Sequence, residues 1–163
     1  MRHAMSLASK AESQGEVPIG AVIVRDGEII GEGWNQSITL NDASAHAEIM
    51  AIRDAGERVA NYRLVNATMY VTLEPCPMCA GALVHSRLER VVFGALDPKT
   101  GAVVSVMQLL EHESLNHKVQ LDGGCCDLEC SNQVSNFFKK RRAEKKLAKQ
   151  AAKAADAGLD NND

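Results

Sequence analysis

Residues 67–85, ATMYVTLEPCPMCAGALVH, decide the fold of this 163-residue chain. The opening residues, rich in β-branched and apolar side chains, predict a strand over Ala67–Leu73 that the following Glu-Pro pair ends. Proline is favoured at the first position of a helix, so Pro77 predicts a helix over Pro77–His85, with Cys76 as its N-cap. A strand followed at once by a helix is typical of layered α/β folds.

Similar patterns predict further elements on both sides of this unit. A helix over residues 2–14 comes first, and Asp26-Gly27 then joins two short β-rich runs as a hairpin. Beyond the hairpin, the patterns predict a helix over Ala45–Ala60 with Ser44 as N-cap, a strand over Arg90–Ala95, a short helix over Val103–Leu110, a strand over Lys118–Leu121 and a long helix from Cys125. This alternation indicates an α/β fold with a layered sheet.

Four residues in and before this unit form a candidate metal site. His46 and Glu48 are separated by one residue, and Cys76 and Cys79 follow the histidine by 30 and 33 positions. Catalytic zinc commonly takes three nitrogen and sulfur ligands and leaves a fourth position for water. His46, Cys76 and Cys79 would be those ligands, and Glu48 would be the base that handles the water's protons. Cysteines three apart share a helix face, and a helix N-terminus stabilises thiolates.

Each part of this pattern has a simpler interpretation when it is taken alone. A single C-x-x-C also occurs in redox pairs, an isolated histidine is more often a partly buried structural residue, and a glutamate near a helix start is more often solvated. The combination favours catalytic zinc. One conflict stays open from the sequence, because residues two apart on a regular helix point about 200° apart. His46 and Glu48 converge only if they lie at a frayed helix start or if the water lies off the helix axis.

The composition is that of one domain with an ordinary core, 45% hydrophobic, with no apolar run of membrane-spanning length. The five cysteines are odd in number and clustered in two places, which makes a poor disulfide framework. The start at Met1 lacks the apolar segment of a secretory signal. We therefore expect a cytoplasmic protein whose cysteines bind metal or are buried, and that does not contact a membrane.

The charges are distributed unevenly along the chain. Between Lys139 and Lys153 there are eight cations and one acid, a net of +7, whereas the whole chain carries -3. The remainder therefore carries about -10, which describes an acidic body with a basic C-terminal stretch. This polarity suits contact with a polyanion at one edge, although a solvated helix end explains it equally well.

Longer strings beyond the metal residues resemble one enzyme family. TLEPCPMCAGALVHSR and VVFGALDPKTG, supported by GEGWN, AHAEIMAI, NYRL and SNFFKKRR, resemble bacterial tRNA-specific adenosine deaminases of the cytidine deaminase superfamily. The resemblance covers most of the chain, from Met1 to about Arg142. It implies a three-layer α/β/α cytidine-deaminase-like fold, a mixed five-stranded sheet with helices on both faces. On this basis residues 1–142 would form the zinc-dependent deaminase domain, and 143–163 would form a basic, then polar, partly disordered tail, with disorder from Gly158 onward.

The resemblance also implies an activity and its partners. Such a protein is a homodimer with one zinc ion per subunit, and it converts adenosine to inosine at the wobble position (34) of a tRNA anticodon. We expect the anticodon stem-loop of an arginine tRNA as the substrate. Members of the family usually carry further residues ahead of the position of Met1.

The resemblance assigns substrate contacts to seven residues. Asn35 matches the family residue that contacts the target base; Asp97, Lys99 and Thr100 match the segment that borders the anticodon loop; and Phe138, Arg141 and Arg142 match contacts to flanking nucleotides. An asparagine amide can hydrogen-bond a purine edge, and an anticodon offers unstacked bases and phosphates to aromatic and arginine side chains. Without the resemblance, Asn35 would be interpreted as a turn residue and Phe138 as a core residue.

Other interpretations stay open from the sequence. The same chemistry could serve a free base or nucleoside of the guanine or cytosine type, although the basic FFKKRR segment argues against that substrate. A noncatalytic zinc-bearing RNA-binding subunit would be expected to lose the proton shuttle, and Glu48 is present. Cys126 and Cys130 are four apart, but no histidine partner is evident, so we expect buried thiols rather than a second metal site.

Overall fold

The computed structural model describes residues 1–159 and shows one five-stranded sheet with four α-helices. In chain order the elements are α1 (Arg2–Ser13), β1 (Gly20–Arg25), β2 (Glu28–Trp34), α2 (Ala47–Val59), β3 (Thr68–Leu73), α3 (Pro77–His85), β4 (Arg90–Ala95), a 3-10 turn (Leu109–Glu111), β5 (Gln120–Asp122) and α4 (Asp127–Leu159). No helix among these residues is both long enough and apolar enough to cross a membrane.

The sheet is mixed, with the strand order β2-β1-β3-β4-β5. The predicted hairpin forms, since β1 pairs with β2 antiparallel, and β1 also pairs antiparallel with β3. β3, β4 and β5 are parallel to one another, and α3 makes the crossover from β3 to β4. The mixed five-stranded α/β fold predicted from the sequence is therefore confirmed.

Helices cover both faces of the sheet. α2 and α3 pack on one face and on each other, while α1 and α4 pack on the other face. The main core lies under α2 and α3 and includes Met69, Val71, Leu83 and Phe93, all 1% exposed or less. Because β3 and β4 end at the same edge of the sheet, the residues that follow these strands meet beside the N-termini of α2 and α3.

The position of α2 depends on very close packing against β2. A Cβ atom added to Gly33 would lie 2.2 Å from the carbonyl oxygen of Ala47 and 2.4 Å from the backbone nitrogen of Ala51. Alanine faces the strand at both positions, so nothing larger than a methyl group separates helix from sheet. This contact sets the distance between β2 and the N-terminal half of α2.

Two helix predictions need correction. α2 begins at Ala47 with His46 as N-cap, and Ser44 bonds instead to the Asp42 carboxylate. No helix forms over Val103–Leu110; that segment makes turns and then a 3-10 turn. The N–H groups of Val106 and Met107 both donate to the Gly101 carbonyl, and that of Leu109 donates to the Ala102 carbonyl, so the i to i−4 bonds of an α-helix do not form.

The C-terminal helix is continuous across the predicted domain boundary. α4 begins at Asp127, two residues after the predicted start, and runs to Leu159. The sequence predicts disorder from Gly158 onward, but Gly158 and Leu159 are helical; residues 160–163 lie outside the described part of the chain. The second strand of the hairpin, predicted over residues 28–31, continues to Trp34, and the other predicted element boundaries agree with the structure to within two residues.

Candidate active site

The structure brings His46, Cys76 and Cys79 together at the edge where β3 and β4 end. Their ligand atoms all lie within 4.8 Å of one another, and this is the single such cluster among the described residues. The Nδ1 atom of His46 lies 3.6 Å from the sulfur of Cys76 and 3.6 Å from that of Cys79. The predicted cap at Cys76 and the predicted first helical residue Pro77 are both confirmed, so one helical turn presents both thiols.

This donor set fits a tetrahedral zinc ion. Zinc bonds of about 2.3 Å to sulfur and 2.05 Å to nitrogen, at a tetrahedral angle, place the two atoms about 3.6 Å apart. Both distances from Nδ1 match this spacing. Three ligands of this kind leave a fourth position for water or substrate.

Glu48 lies next to the ligand cluster without belonging to it. The conflict over its orientation is resolved because His46 is the N-cap, with an extended backbone (φ -74°, ψ 154°), while Glu48 occupies the first turn of α2. The two side chains therefore do not follow a common helical period. Glu48 is 4% exposed and its carboxyl contacts the Cys79 thiol. Burial raises the pKa of Glu48 to about 7, and a bound cation would lower it again.

The ligand side chains alter one another's protonation. The pKa of the Cys76 thiol falls to about 4 because the Cys79 thiol and His46 stabilise its thiolate. The pKa of Cys79 is raised, because its proton is held by Cys76 and because the side chain is buried. Contact with Cys76 raises the pKa of His46. The cluster thus holds one thiolate at neutral pH, and a metal cation would displace the second thiol proton.

Asn35 supports the start of α2. Its side chain is 6% exposed, and its Oδ1 atom accepts a hydrogen bond from the Ala47 N–H at 3.0 Å. The Asn35 side chain therefore satisfies the N–H of the residue that follows His46, a helix N–H that has no intrahelical partner. Among the described residues the NH2 group of the same amide has no hydrogen-bond partner, and Asn35 lines the adjoining cavity.

A cavity of about 540 Å³ adjoins the ligand cluster, a size within the roughly 300–1,000 Å³ of small-molecule sites. The predicted site residues that line it are Asn35, His46, Asp97, Lys99, Thr100 and Phe138. Arg141 and Arg142 do not line it. A second cavity of about 500 Å³, between β2 and α2, contains none of the predicted site residues.

The loop after β4 forms one wall of the cavity. Asp97 organises this loop, since Oδ1 accepts the N–H groups of Lys99 (2.9 Å) and Thr100 (3.2 Å) and Oδ2 accepts the Thr100 hydroxyl at 2.6 Å. Burial acts to raise the pKa of Asp97, but these hydrogen bonds outweigh it and the pKa is lowered. Asp97 is therefore a carboxylate engaged within its own loop, while the Lys99 side chain is exposed.

α4 forms another wall of the cavity. Phe138 is 42% exposed and lines the cavity, whereas its neighbour Phe137 is buried and stacks edge-on against it at 5.4 Å. Arg141 lies over the Phe137 ring at 5.8 Å and forms an ion pair with Glu144 at 3.9 Å. Arg142 is exposed one turn beyond Phe138.

Sequence reasoning missed several residues of this region. Ser131, Val134 and Ser135 line the cavity. They precede Phe138 by seven, four and three residues, a helical spacing that could have identified them. The sequence indicates Glu74 only as the end of a strand, yet the residue is 2% exposed and binds the loop after β4. Cys130 is fully buried, as expected, while Cys125 and Cys126 are partly exposed.

Comparison with known proteins places the chain in a family. A model of MafB19-like deaminases matches residues 1–142. The chain is 53% identical to a tRNA-specific adenosine deaminase of Haemophilus influenzae, over 94% of this chain and 90% of that protein. The chain belongs to the tRNA-specific adenosine deaminase family. It is also 49% identical to the Bacillus subtilis member, over 92% of this chain and 93% of that one.

A solved structure supports the same assignment. It comes from a study of A-to-I editing by tRNA:A34 deaminases at the wobble position of transfer RNA, and superposes on this fold with a TM-score of 0.80. The sequences are 42% identical, and the match covers 82% of this chain and 97% of the other. The family and the enzyme class predicted from the sequence are thus confirmed. The cluster of His46, Cys76 and Cys79 is compatible with zinc binding in a deaminase of this fold.

Proposed function

We propose that this protein deaminates adenosine to inosine at the wobble position (34) of a tRNA anticodon. The observation that carries the proposal is the His46, Cys76 and Cys79 cluster, with Glu48 buried beside it and a cavity adjoining it, in a chain 53% identical to a tRNA-specific adenosine deaminase. The reaction is hydrolytic. Water adds to C6 of adenine, the C–N bond to the amino group breaks, and ammonia leaves a carbonyl behind.

Zinc is the metal that we assign to the cluster, one ion per subunit. A zinc ion held by His46, Cys76 and Cys79 would lower the pKa of water and make it nucleophilic at neutral pH. The matching 3.6 Å spacings and the preformed thiolate support this choice. Two thiolate ligands offset the double charge of the ion, so it would lower the pKa of water less than an ion held by histidines alone.

Glu48 is the proposed catalytic residue. It would accept a proton from the attacking water and pass it to a ring nitrogen of adenine. It would then take the proton of the new C6 hydroxyl and deliver it to the departing amino group, so that ammonia leaves and a carbonyl remains. Burial keeps this carboxylate away from bulk water, so it exchanges protons with the reacting groups rather than with solvent.

We assign the substrate contacts as the sequence predicted them. The free NH2 group of Asn35 suits an acceptor on the purine, and Phe138 offers an exposed ring at the cavity for base stacking. The loop Asp97–Thr100 would border the anticodon loop, with the exposed Lys99 near phosphate. Arg141 and Arg142 would contact flanking nucleotides outside the cavity.

The basic part of α4 supports a polyanionic partner. The side chains from residue 138 to 152 are all exposed, and those up to Lys149 include seven cations and one acid. A free base or nucleoside needs no such surface, whereas a tRNA stem offers phosphates to it. We therefore favour tRNA, specifically an arginine tRNA with A34, as the substrate and the cytoplasm as the site of action.

We also propose the domain division and the assembly. Residues 1–142 would form the deaminase domain, supported by the family match over the same span, and residues 143–163 an accessory basic tail. The working unit would be a homodimer, as the family resemblance implies. Light scattering or analytical ultracentrifugation of the purified chain measures this directly.

The decisive experiment incubates the zinc-loaded protein with an A34-containing arginine tRNA transcript and scores inosine by sequencing. Free adenosine, cytidine and guanine serve as parallel substrates. We expect inosine at position 34 alone. Conversion of a free nucleoside or base, with the tRNA unchanged, would keep the chemistry and refute the tRNA assignment. No turnover on any substrate, with zinc bound, would favour the noncatalytic subunit.

A Glu48→Ala variant tests the mechanism. It should keep its zinc and bind tRNA as before, because Glu48 is not one of the clustered ligands, but lose turnover by about 100-fold or more. Zinc is measured by atomic absorption, tRNA binding by filter retention and turnover by inosine formation. Activity near that of the wild type in the metal-replete variant would refute the assigned role.

A further inference from the structure

Glu74 is a buried carboxylate at the junction between the metal-ligand turn and the cavity wall. It follows β3 directly, precedes Cys76 by two residues and is 2% exposed. Its backbone N–H donates to the carbonyl of Ala95 at 2.8 Å, which fixes it to the last residue of β4. A buried carboxylate is costly unless hydrogen bonds satisfy it, so its partners indicate what it does.

Every side-chain hydrogen bond that the structure gives Glu74 comes from the loop after β4. Oε1 accepts three consecutive N–H groups, from Val103 (3.3 Å), Val104 (2.8 Å) and Ser105 (2.8 Å). Oε2 accepts the Asp97 N–H at 3.0 Å and the Ser105 hydroxyl. One carboxylate therefore holds both ends of the segment 97–105, which we call the anchored loop.

The anchored loop also approaches Glu74 along its middle. A Cβ atom at Gly101 would lie 2.3 Å from Oε2 of Glu74, so only glycine fits there. The Ala102 N–H donates to the carbonyl of Pro75 at 2.9 Å, which ties the loop to the residue that precedes Cys76. Hydrogen bonds thus tie the loop to Glu74 and Pro75, while Ala102 and Val103 pack into the main core.

We propose that Glu74 is a positioning residue for the deamination, because it fixes the anchored loop, and with it Asp97, Lys99 and Thr100, relative to the metal-ligand turn. This inference rests on the proposed function. Glu74 does not itself line the cavity, whereas those three residues do. Its charge therefore acts on the substrate only through the position of the loop, which borders the anticodon loop in the proposed complex.

The conservative variant Glu74→Gln is the main test. An amide keeps the shape of the side chain, and its oxygen can still accept the N–H groups that meet at Oε1. Its NH2 group then faces the Asp97 N–H, so two donors oppose each other at one end of the anchored loop. Loss of a hydrogen bond to a charged group should speed amide exchange at Asp97 and Lys99 by about tenfold or more.

The kinetic readout separates positioning from general instability. Binding to tRNA must restore the loop, so we expect the KM for tRNA to rise about tenfold while kcat at saturating tRNA stays within about threefold. Zinc content should stay at one ion per chain, because the ligand side chains are untouched. A merely structural role would instead lower the active fraction, reducing kcat with KM unchanged, and would leave exchange in the loop no faster than elsewhere.

Matched variants keep the proposal falsifiable. Glu113→Gln makes the same chemical change at an exposed position without a recorded side-chain partner among the described residues, and should alter neither readout. If Glu74→Gln does not fold, Gly101→Ala pushes a methyl group against Oε2, and Ser105→Ala removes one hydroxyl bond. Both variants should speed amide exchange in the anchored loop and raise the KM for tRNA, as expected for Glu74→Gln. The effect of Ser105→Ala should be the smaller.

Two results would overturn the inference. Unchanged exchange across residues 97–105 in Glu74→Gln would show that the carboxylate does not hold the loop, and a fall in kcat at unchanged KM would show that it does not act through substrate positioning. If the wild-type chain leaves tRNA unchanged, the proposed function fails on its own. The exchange measurement, which needs no substrate, still decides whether Glu74 anchors the loop.

Discussion

Substituting Gly33 by alanine should displace the catalytic end of α2 without touching any predicted site residue. The added Cβ would lie 2.2 Å from the Ala47 carbonyl oxygen, whereas ordinary contact begins at 3.4 Å, so helix and strand must separate by about 1.2 Å. Ala47 is the residue between His46 and Glu48. The required movement therefore falls on the segment that carries a metal ligand and the proposed base.

The size of the effect follows from this displacement. Overpacking of a filled interface costs about 1–3 kcal/mol of stability. A shift of about 1 Å in catalytic groups lowers rates by about 100-fold. We therefore expect Gly33→Ala to lower the free energy of unfolding by about 1–3 kcal/mol and single-turnover inosine formation by about 100-fold. Zinc content should fall in parallel if His46 moves with the helix.

The assays are urea unfolding, zinc analysis and single-turnover inosine formation, with Gly81→Ala as control. Gly81 lies in α3, two residues after Cys79, and a Cβ atom there meets nothing within 4 Å. Glycine to alanine inside a helix should stabilise by about 0.5–1 kcal/mol and leave activity unchanged. Wild-type stability and activity in Gly33→Ala would refute the claim that this contact positions α2.

Two further predictions concern the substrate. Asn35→Asp keeps the acceptor for the Ala47 N–H but loses the NH2 donor, so the free energy of unfolding should be nearly unchanged while the rate of deamination falls. A rate equal to that of the wild type would refute a contact between the amide and the base. Asn35→Ala loses the acceptor as well and should also destabilise α2. Removal of the residues after Arg142 deletes Lys145, Lys146 and Lys149 with the rest of the tail, so tRNA should bind more weakly. The slope of log Kd against the logarithm of the salt concentration should fall by about 1–3. Unchanged binding in a salt titration would make this part of α4 a solvated extension.

The sequence determined the local parts of the molecule. The strand, proline and C-x-x-C spacing predicted α3, its cap at Cys76 and the presentation of both thiols, because each depends on residues only a few positions apart. The hairpin at Asp26-Gly27 was predictable for the same reason, since a two-residue turn fixes the pairing of the strands beside it. Residue types alone also indicated the metal ligands, because few side chains bind zinc.

Contacts between distant residues decided the rest. Ser44 is a good N-cap by type, yet α2 begins two residues later, where Asn35 from the end of β2 accepts the Ala47 N–H. That shift places His46 on extended backbone and resolves its apparent conflict with Glu48. Residues 103–110 have helical character by pattern, but the N–H groups of Val106 and Met107 turn back to the Gly101 carbonyl. A carboxylate about 30 positions earlier binds the N–H groups of residues 103–105 and holds this turn in place.

The physical reason is the same in both cases. A backbone N–H must be satisfied when it is buried, and the pattern of a short segment predicts its structure only when the partner lies within that segment. Where the partner is Asn35 or Glu74, the hydrogen bond forms only after the sheet has brought the two parts together. The sequence therefore determined which residues carry the chemistry, and the tertiary structure decided how the helix start and the cavity wall are held around them.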